Sequence, residues 1–359
     1  MRAHGSSAPI TAAMAAPSSS HEPTGMPLVR GAGAVTSADG WGGGSGAPGG
    51  GRDCTRATLA NPARTPASAD ARSPSHSLSG VSDRPIGMFD SGFGGLTVAR
   101  ALFDLLPDED VVYIGDTARY PYGPRPLHEV RRFARQLAWH LVKEHDVKLV
   151  VVACNTASAA ALDDLAADLP VPLVEVIEPG ARALVRATTS GRAGVIGTVG
   201  TISSGAYQRA VAATGASVEL HAAACPGFVE FVERGETSGE QVTILAERLL
   251  APVKAAGVDA LLLGCTHYPY LARVISEVMG RDVVLVSSAD ETAFEVRRLL
   301  DERGLRRLPS GRPAQHRFYS SGDVQWFEDL GRRLLGPELA TAHQLHFDDA
   351  TDLPTSRKS

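Results

Sequence analysis

Short apolar runs alternate with helical patterns along the chain from Pro85 onward. Runs of strand length predict β-strands at 86–90, 111–115, 148–153, 173–177, 193–196, 218–223, 260–263 and 283–286. Between them, apolar positions at helical spacing predict helices that end at 106 or span 128–145, 156–168, 203–213, 241–256, 270–279 and 291–303. The repeated β-α-β order predicts an α/β fold with mainly parallel sheets and helices on both faces.

Two segments of the chain resemble each other. One is the apolar run that leads to Cys154, L-V-V-V-A-C-N-T, and the other leads to Cys265, A-L-L-L-G-C-T-H. Each is a buried strand that ends in a small residue, followed by a cysteine and by polar residues that open a helix. We therefore predict two similar α/β halves related by approximate internal symmetry, with ligands bound beyond the carboxyl ends of the strands.

The ends of the chain differ from this pattern. Residues 1–84 are rich in Gly, Ala, Ser and Pro, and such a segment cannot bury enough apolar surface to offset its chain entropy. We predict that this extension is disordered, or that the start codon lies further downstream. Residues 349–359 are predicted to be a flexible tail.

Composition excludes several classes of protein. The net charge of -5 argues against a nucleic-acid binder, which needs a basic face. No apolar run approaches the ~20 residues that a membrane span requires, and no signal-peptide core is present. Four scattered cysteines are too few for a disulfide scaffold and lack zinc-site spacing. We expect a cytoplasmic protein with reduced thiols, no metal site and no membrane partner.

Cys154 and Cys265 are the strongest candidates for chemistry. Each follows a strand and precedes a helix, where the helix N-terminus favours an anion and lowers a thiol pKa. One such cysteine alone is best explained as a small buried hydrophobe, but two in matching contexts favour function. Two thiols that face each other across a cleft can invert a stereocentre, one removing a proton while the other supplies one. Cys225 precedes a proline without an evident partner, and Cys54 lies in the extension.

Three further motifs follow predicted strands. Asp90 opens a glycine loop at 90–96, where it can assist a thiol or cap a helix. The turn at 121–123 can hold one end of a small ligand. His267 lies two residues past Cys265, where it either exchanges protons or simply begins a helix.

The lysines argue against a pyridoxal phosphate enzyme. That cofactor needs a lysine for its Schiff base, and the lysines here lie on helices, in the tail or at the wrong end of a strand: Lys143, Lys148, Lys254 and Lys358. We therefore expect no cofactor, so that acidification of a substrate carbon depends on electrostatic preorganisation.

Four linked motifs together resemble one enzyme family. They are D-S-G-x-G-G-L at 90–96, G-D-T-x-x-x-P-Y-G at 115–123, C-N-T-A-S at 154–158 and G-C-T-H-Y-P at 264–269. In order and spacing they are similar to the glutamate racemases of the aspartate/glutamate racemase family. The resemblance covers 85–336, and the stretches at 230–239 and 251–256 look like actinobacterial members.

The resemblance implies two α/β domains, residues 85–178 plus 288–348 and residues 179–287, with the active site in the cleft between them. It also implies a cofactor-independent interconversion of L- and D-glutamate by two thiols. Cys154 would be the base toward D-glutamate and Cys265 the base toward L-glutamate, assisted by Asp90 and His267. Glu233 would support them, although Glu230 competes for that role. Substrate contacts would come from Asp90, Ser91, Pro121, Tyr122, Gly123, Asn155, Thr156, Thr198, Thr201, Thr266 and His267. The family supplies D-glutamate for peptidoglycan, and hence for cell-wall biogenesis and cell shape, and is commonly a homodimer.

Other functions stay open at this point. Within the family the alternative is an aspartate or hydantoin racemase, although the Pro-Tyr-Gly loop and the C-T-H-Y-P motif favour glutamate. A non-catalytic binding protein on the same fold is a second alternative, against which the intact cysteine pair argues. A thiol redox protein is a third, but no C-x-x-C motif occurs.

Overall fold

A computed structural model describes residues 82–309 and 311–347, which form ten strands and eleven α-helices. The strands are β1 (Ile86–Asp90), β2 (Val111–Gly115), β3 (Leu149–Val152), β4 (Leu173–Glu175), β5 (Arg192–Gly197), β6 (Glu219–Ala224), β7 (Ala260–Gly264), β8 (Val284–Ser287), β9 (His316–Ser320) and β10 (Ala342–Gln344). The helices are α1 (Leu96–Leu105), α2 (Leu127–His145), α3 (Asn155–Asp168), α4 (Ile177–Ala187), α5 (Val199–Ser203), α6 (Ala206–Ala213), α7 (Phe228–Glu233), α8 (Glu240–Ala255), α9 (Ala272–Met279), α10 (Ser288–Glu302) and α11 (Val324–Leu335). Of the predicted disordered extension at 1–84, residues 1–81 lie outside the described residues. The predicted tail at 349–359 also lies outside them.

The first sheet has six parallel strands in the order β10-β9-β2-β1-β3-β4. Strand β1 lies near its centre and is buried along its whole length, as expected for a parallel strand covered on both faces. One apolar layer packs α1, α10 and α11 against this sheet, and a second packs α2 and α3 against the other face. The register pairs Asp90 with Gly115, so the ends of β1 and β2 lie side by side.

The second sheet has four parallel strands in the order β6-β5-β7-β8. Helices α7, α8 and α9 cover one face, while α4 and α6 cover the other. Gly197 pairs with Gly264, so β5 and β7 end together just before Cys265. Two mainly parallel sheets between helices confirm the predicted α/β class.

Helix α4 corrects the sequence prediction, which continued a strand to residue 177. The strand ends at Glu175 because the side chain of this residue turns back and caps the next helix. Its carboxylate accepts hydrogen bonds from the backbone N–H groups of Ile177, at 2.5 Å, and Glu178, at 2.6 Å. These bonds satisfy N–H groups that have no partner inside the helix.

The predicted helix at 203–213 is wrong in a similar way, because the structure divides this region between α5 and α6. The break occurs at Gly205, whose φ of 68° belongs to the left-handed region that glycine tolerates best. The predicted helix at 270–279 is also shorter, since a 3-10 helix at Tyr268–Leu271 precedes α9.

Several elements carried no prediction, among them α7 and everything after residue 303. Strand β9 pairs with β2 and strand β10 pairs with β9, so the end of the chain extends the first sheet. Helix α10 leads the chain back from the second sheet and packs on α1. Sequence distance hides the pairing of β9 with β2, because the partner strand lies about 200 residues earlier in the chain, as with Ser320 and Gly115.

A buried ion pair lies at the opposite end of β3 from Cys154. Lys148 is fully buried, and its Nζ lies 2.5 Å from the Glu109 carboxylate. The ammonium also donates to the carbonyl of Ser82 at 2.9 Å, and Glu109 accepts from the backbone N–H of Arg307. Lys148 therefore forms a buried ion pair at the start of β3. This position agrees with the expectation that the lysine lies away from the strand ends that carry the cysteines.

Candidate active site

Cys154 and Cys265 line the same cavity, where the carboxyl ends of β3 and β7 face each other. Parallel sheets place their ligand sites at this edge because the loops after the strands converge there. The residues that line the cavity are Ser91, Tyr120, Pro121, Tyr122, Gly123, Cys154, Asn155, Thr156, Thr198, Val229, Cys265, Thr266 and His267. One thiol therefore comes from each sheet, as a two-sided proton exchange requires.

Cys154 directly precedes α3 and is buried. Its Sγ lies 3.8 Å from the Oγ of Ser91. Burial, and after it the nearby Asp90 carboxylate, raise the pKa of the Cys154 thiol well above its usual range. The prediction of a lowered thiol pKa is therefore wrong for Cys154. The backbone N–H of Ala157 acts in the predicted direction, but desolvation outweighs it.

Cys265 has a different environment, built around a histidine. Its Sγ lies 3.9 Å from Nδ1 of His267, and Nε2 of His267 lies 3.2 Å from the Glu233 carboxylate. Burial opposes a charge on the imidazole, but the hydrogen bonds to Cys265 and Glu233 outweigh it and raise the pKa of His267 to about 10. The imidazole is therefore charged at neutral pH and can stabilise a thiolate. Of the two candidate glutamates, Glu233 contacts His267, whereas Glu230 is exposed.

Asp90 is completely buried behind the glycine loop. Its Oδ2 accepts hydrogen bonds from the backbone N–H groups of Gly92, at 3.2 Å, and Gly95, at 3.0 Å. Its Oδ1 has no hydrogen-bond partner within the described ranges. Burial raises the pKa of Asp90, against the opposing charge of His267. The carboxyl group is thus suited to exchange a proton with a neighbour at the floor of the cavity.

Three threonine hydroxyls join the two halves of the site. Thr156 Oγ1, from the start of α3, lies 2.9 Å from Thr198 Oγ1 and 3.3 Å from Thr201 Oγ1. Thr198 also caps α5, where its hydroxyl accepts from the backbone N–H of Thr201. Beside them, the backbone N–H of Gly200 donates to the carbonyl of Gly123 at 2.9 Å. These bonds hold the loops from the two sheets against each other.

Asn155 and the Pro-Tyr-Gly loop are positioned by hydrogen bonds to residues outside the cavity lining. The Asn155 side chain donates to the Tyr207 hydroxyl at 2.7 Å, while its Oδ1 is buried without a partner in the described part of the chain. The Tyr122 hydroxyl donates to Asp116, which also pairs with Arg119 at 2.7 Å. The polar groups that reach the cavity are therefore fixed by a supporting layer.

The sequence analysis missed two cavity-lining residues, Tyr120 and Val229. Tyr120 occupies an unspecified position of the G-D-T-x-x-x-P-Y-G motif, and Val229 lies on a helix that was not predicted. The sequence analysis also did not predict that Gly94 packs against His267. A Cβ at residue 94 would lie only 2.3 Å from Nδ1 of His267. Cys225 is buried outside the cavity lining.

Residues 82–309 and 311–347 hold neither a candidate metal site nor a candidate membrane span. This part of the chain contains no group of three or more His, Cys, Asp or Glu side chains placed to hold a metal ion. No helix in the same ranges combines the length and the apolarity that a bilayer crossing demands.

Comparison with known proteins agrees with this geometry. The family model for Asp/Glu/Hydantoin racemase matches residues 95–295. The chain is 57% identical to a glutamate racemase of Parafrankia sp. over 259 residues, which cover 72% of this chain and 93% of that protein. Further glutamate racemases of actinobacteria match at 52–55% identity.

Solved structures give the same result. The glutamate racemase RacE1 of Bacillus anthracis is 41% identical with a TM-score of 0.68, and the match covers 76% of this chain and 98% of that one. The Francisella tularensis glutamate racemase in complex with D-glutamate is 33% identical, also with a TM-score of 0.68, and the match covers 73% and 97% of the two chains. The chain therefore belongs to the Asp/Glu/hydantoin racemase family, in which its relatives are glutamate racemases.

Proposed function

We propose that this chain is a cofactor-independent glutamate racemase that interconverts L- and D-glutamate. The observation that carries the proposal is the single cavity between the two sheets, lined by one cysteine from each. The identity of the relatives supports glutamate as the substrate, because they are named glutamate racemases and match most of the chain.

The L-to-D direction begins at Cys265. Its thiolate, stabilised by the charged His267, takes the α-proton of L-glutamate and becomes a thiol. The thiol of Cys154 then gives its proton to the opposite face of the α-carbon, which yields D-glutamate and leaves a thiolate on Cys154. Glu233 holds the imidazole in place and balances its charge.

The D-to-L direction uses the same groups with exchanged roles. Cys154 removes the α-proton of D-glutamate, and Cys265 returns one to the other face. The charge of Asp90 acts on Cys154, and its Oδ1 has no hydrogen-bond partner among the described residues. It therefore takes the thiol proton when Cys154 must become a thiolate. The raised pKa of Asp90 brings its proton affinity closer to the working range of a thiol.

Substrate binding supplies the remaining stabilisation. Negative charge that develops at the α-carbon spreads to the α-carboxylate, where hydrogen-bond donors in a dry site act most strongly. We propose that backbone N–H groups, threonine and serine hydroxyls and the Asn155 amide supply most of the hydrogen bonds to the substrate. The proposed contact residues are Ser91, Pro121, Tyr122, Gly123, Asn155, Thr156, Thr198, Thr201, Thr266 and the catalytic Asp90 and His267.

The proposal is tested by incubating the purified protein with L-glutamate in D₂O, without added cofactor. We expect loss of optical activity together with entry of deuterium at the α-carbon, and a much slower reaction with L-aspartate. Equal turnover of glutamate and aspartate would defeat the choice of substrate. If no deuterium enters the α-carbon, the chain is not a racemase.

Cysteine variants test the roles of the thiols. We expect Cys154→Ala and Cys265→Ala each to abolish racemisation, because each removes the only acid–base group proposed for one face of the substrate. Circular dichroism checks that both variants stay folded. Cys225→Ala is the matched control, since this thiol is buried but does not line the cavity, and we expect it to retain activity. Near-normal turnover in either of the first two variants would contradict the two-thiol mechanism.

The proposal extends to the role of the protein in the cell. We propose that it supplies D-glutamate for peptidoglycan and acts in the cytoplasm as a homodimer. We also propose that the chain forms two domains, residues 85–178 plus 288–348 and residues 179–287. The free thiols of Cys154, Cys225 and Cys265 support a reducing compartment. The separate pairing of the strands within each sheet supports the domain division.

A further inference from the structure

Tyr120 lies at the edge of the cavity, beside the His267 half of the site. Its ring packs over the backbone of Gly92, where a Cβ would come within 3.2 Å of the ring. The ring centroid lies 6.5 Å from that of His267 on one side and 6.3 Å from that of Trp326 on the other. The ring is thus held between the glycine loop, α11 and the histidine, which leaves it little freedom to move.

The hydroxyl group of Tyr120 has no role in the mechanism described above. It is buried, yet no hydrogen bond of ordinary geometry satisfies it within the described ranges. A buried hydroxyl without a well-formed hydrogen bond is costly, so a native structure that keeps one calls for an explanation. Burial raises the pKa of Tyr120, and so do the negative charge of Glu233 and the loose hydrogen bond to its carboxylate, so the group stays protonated and can only donate to that carboxylate.

We propose that Tyr120 is a positioning residue that donates its hydroxyl hydrogen to Glu233 during the reaction and thereby fixes the His267–Cys265 pair. Glu233 Oε1 already faces Nε2 of His267. A donor on the carboxylate therefore sets the orientation of the imidazole and, through it, the position of the proton acceptor at Cys265. This inference rests on the proposed racemase function and deepens it.

The proposed role is confined to one face of the substrate. Cys154 has Ser91 and Asp90 as neighbours, and neither contact depends on Tyr120. Loss of the hydroxyl should therefore slow proton transfer at Cys265 more than proton transfer at Cys154. Because enantiomers have equal free energies, kcat/KM must fall by the same factor in both directions, so rates alone cannot reveal this asymmetry.

Isotope effects can reveal it. The experiment measures α-deuterium isotope effects on kcat/KM for the full-length protein and for Tyr120→Phe, with L- and D-glutamate deuterated at the α-carbon. We expect kcat/KM to fall by about tenfold, as for the loss of a hydrogen bond to a charged group. With L-glutamate the isotope effect should rise, because Cys265 removes the deuteron in the slowed step. With D-glutamate it should fall, because Cys154 removes the deuteron in a step that has become less limiting.

Tyr319→Phe is the matched control. Tyr319 is a half-buried tyrosine on β9, outside the cavity, and its variant should keep the wild-type kinetics and isotope effects. The inference is overturned if Tyr120→Phe matches the wild type. It is also overturned if only KM rises, which would mean that the hydroxyl binds substrate directly, or if the isotope effects change equally for both enantiomers. Absence of α-exchange in the wild type would instead overturn the proposed function.

Discussion

Replacement of Glu233 by glutamine tests how charge is distributed beside Cys265. The substitution keeps the shape of the side chain and an oxygen that faces Nε2 of His267, but it removes the negative charge. The pKa of His267 is raised from an ordinary value of 6.5 to about 10. That difference corresponds to a preference of about 5 kcal/mol for the charged imidazole. Because Cys265 and Glu233 both contribute, we assign about 2 kcal/mol to the glutamate charge, on the same scale.

A loss of this size lowers the ratio of the ion-paired imidazolium–thiolate state to the neutral imidazole–thiol state by about 30-fold. We expect kcat/KM of Glu233→Gln to fall by up to that factor, and by the same factor with either enantiomer. The pH profile should change as well. A raised pKa keeps His267 charged as the pH rises toward 10, and in the variant that charge is lost at a lower pH. The alkaline limb of kcat/KM should therefore move to lower pH.

The assay is the initial rate of change in circular dichroism with L- and D-glutamate between neutral and alkaline pH. Glu230→Gln is the matched control, since this exposed glutamate lies in the same helix and makes no contact with His267. The reasoning is refuted if Glu233→Gln stays within about twofold of the wild type, a difference of under 1 kcal/mol. It is also refuted if Glu230→Gln is the damaging variant.

Two further substitutions follow from contacts in the structure. Gly94→Ala would place a Cβ 2.3 Å from Nδ1 of His267, so we expect the ring to shift and turnover to fall by about 100-fold. Steady-state kinetics measure this, and an active variant would contradict the contact. Lys148→Met removes the ion-pair partner of the buried Glu109, and we expect a loss of about 3–5 kcal/mol in the free energy of unfolding. Urea denaturation measures the free energy of unfolding of this variant and of Lys143→Met, a control at an exposed lysine. Equal stabilities of the two variants would refute a stabilising role for the Lys148–Glu109 ion pair.

Much of the fold could be predicted from local pattern. Strands such as β1, β3 and β7 are buried on both faces, so their apolar runs are continuous and easily recognised. Helix α4 was missed because its start depends on Glu175, whose side chain looks like any polar residue until it folds back onto the helix. Strand β9 was missed because its partner, β2, lies far away in the sequence.

The site residues likewise comprise some that could be predicted from the sequence and others that only the structure identifies. The two cysteines could be found from sequence because each follows a strand of the same type, and such strands present their ends at one edge of a sheet. The family resemblance favoured Glu233 over Glu230, but the folding of helix α7 determines which of the two faces His267. Tyr120 and Val229 likewise become visible only when the loops that carry them close over the cavity.

By itself, the sequence determined the α/β class, the two cysteine-bearing strands and the polar groups that follow them, because each of these is a local pattern of burial and spacing. The tertiary structure alone decided the electrostatics. Cys154 was expected to have a lowered pKa at the start of α3, yet desolvation and the Asp90 carboxylate raise it. The charge on His267 depends on Glu233, which is distant in sequence. Desolvation and long-range charge pairing depend on what surrounds a group in space, and a linear sequence does not specify those surroundings.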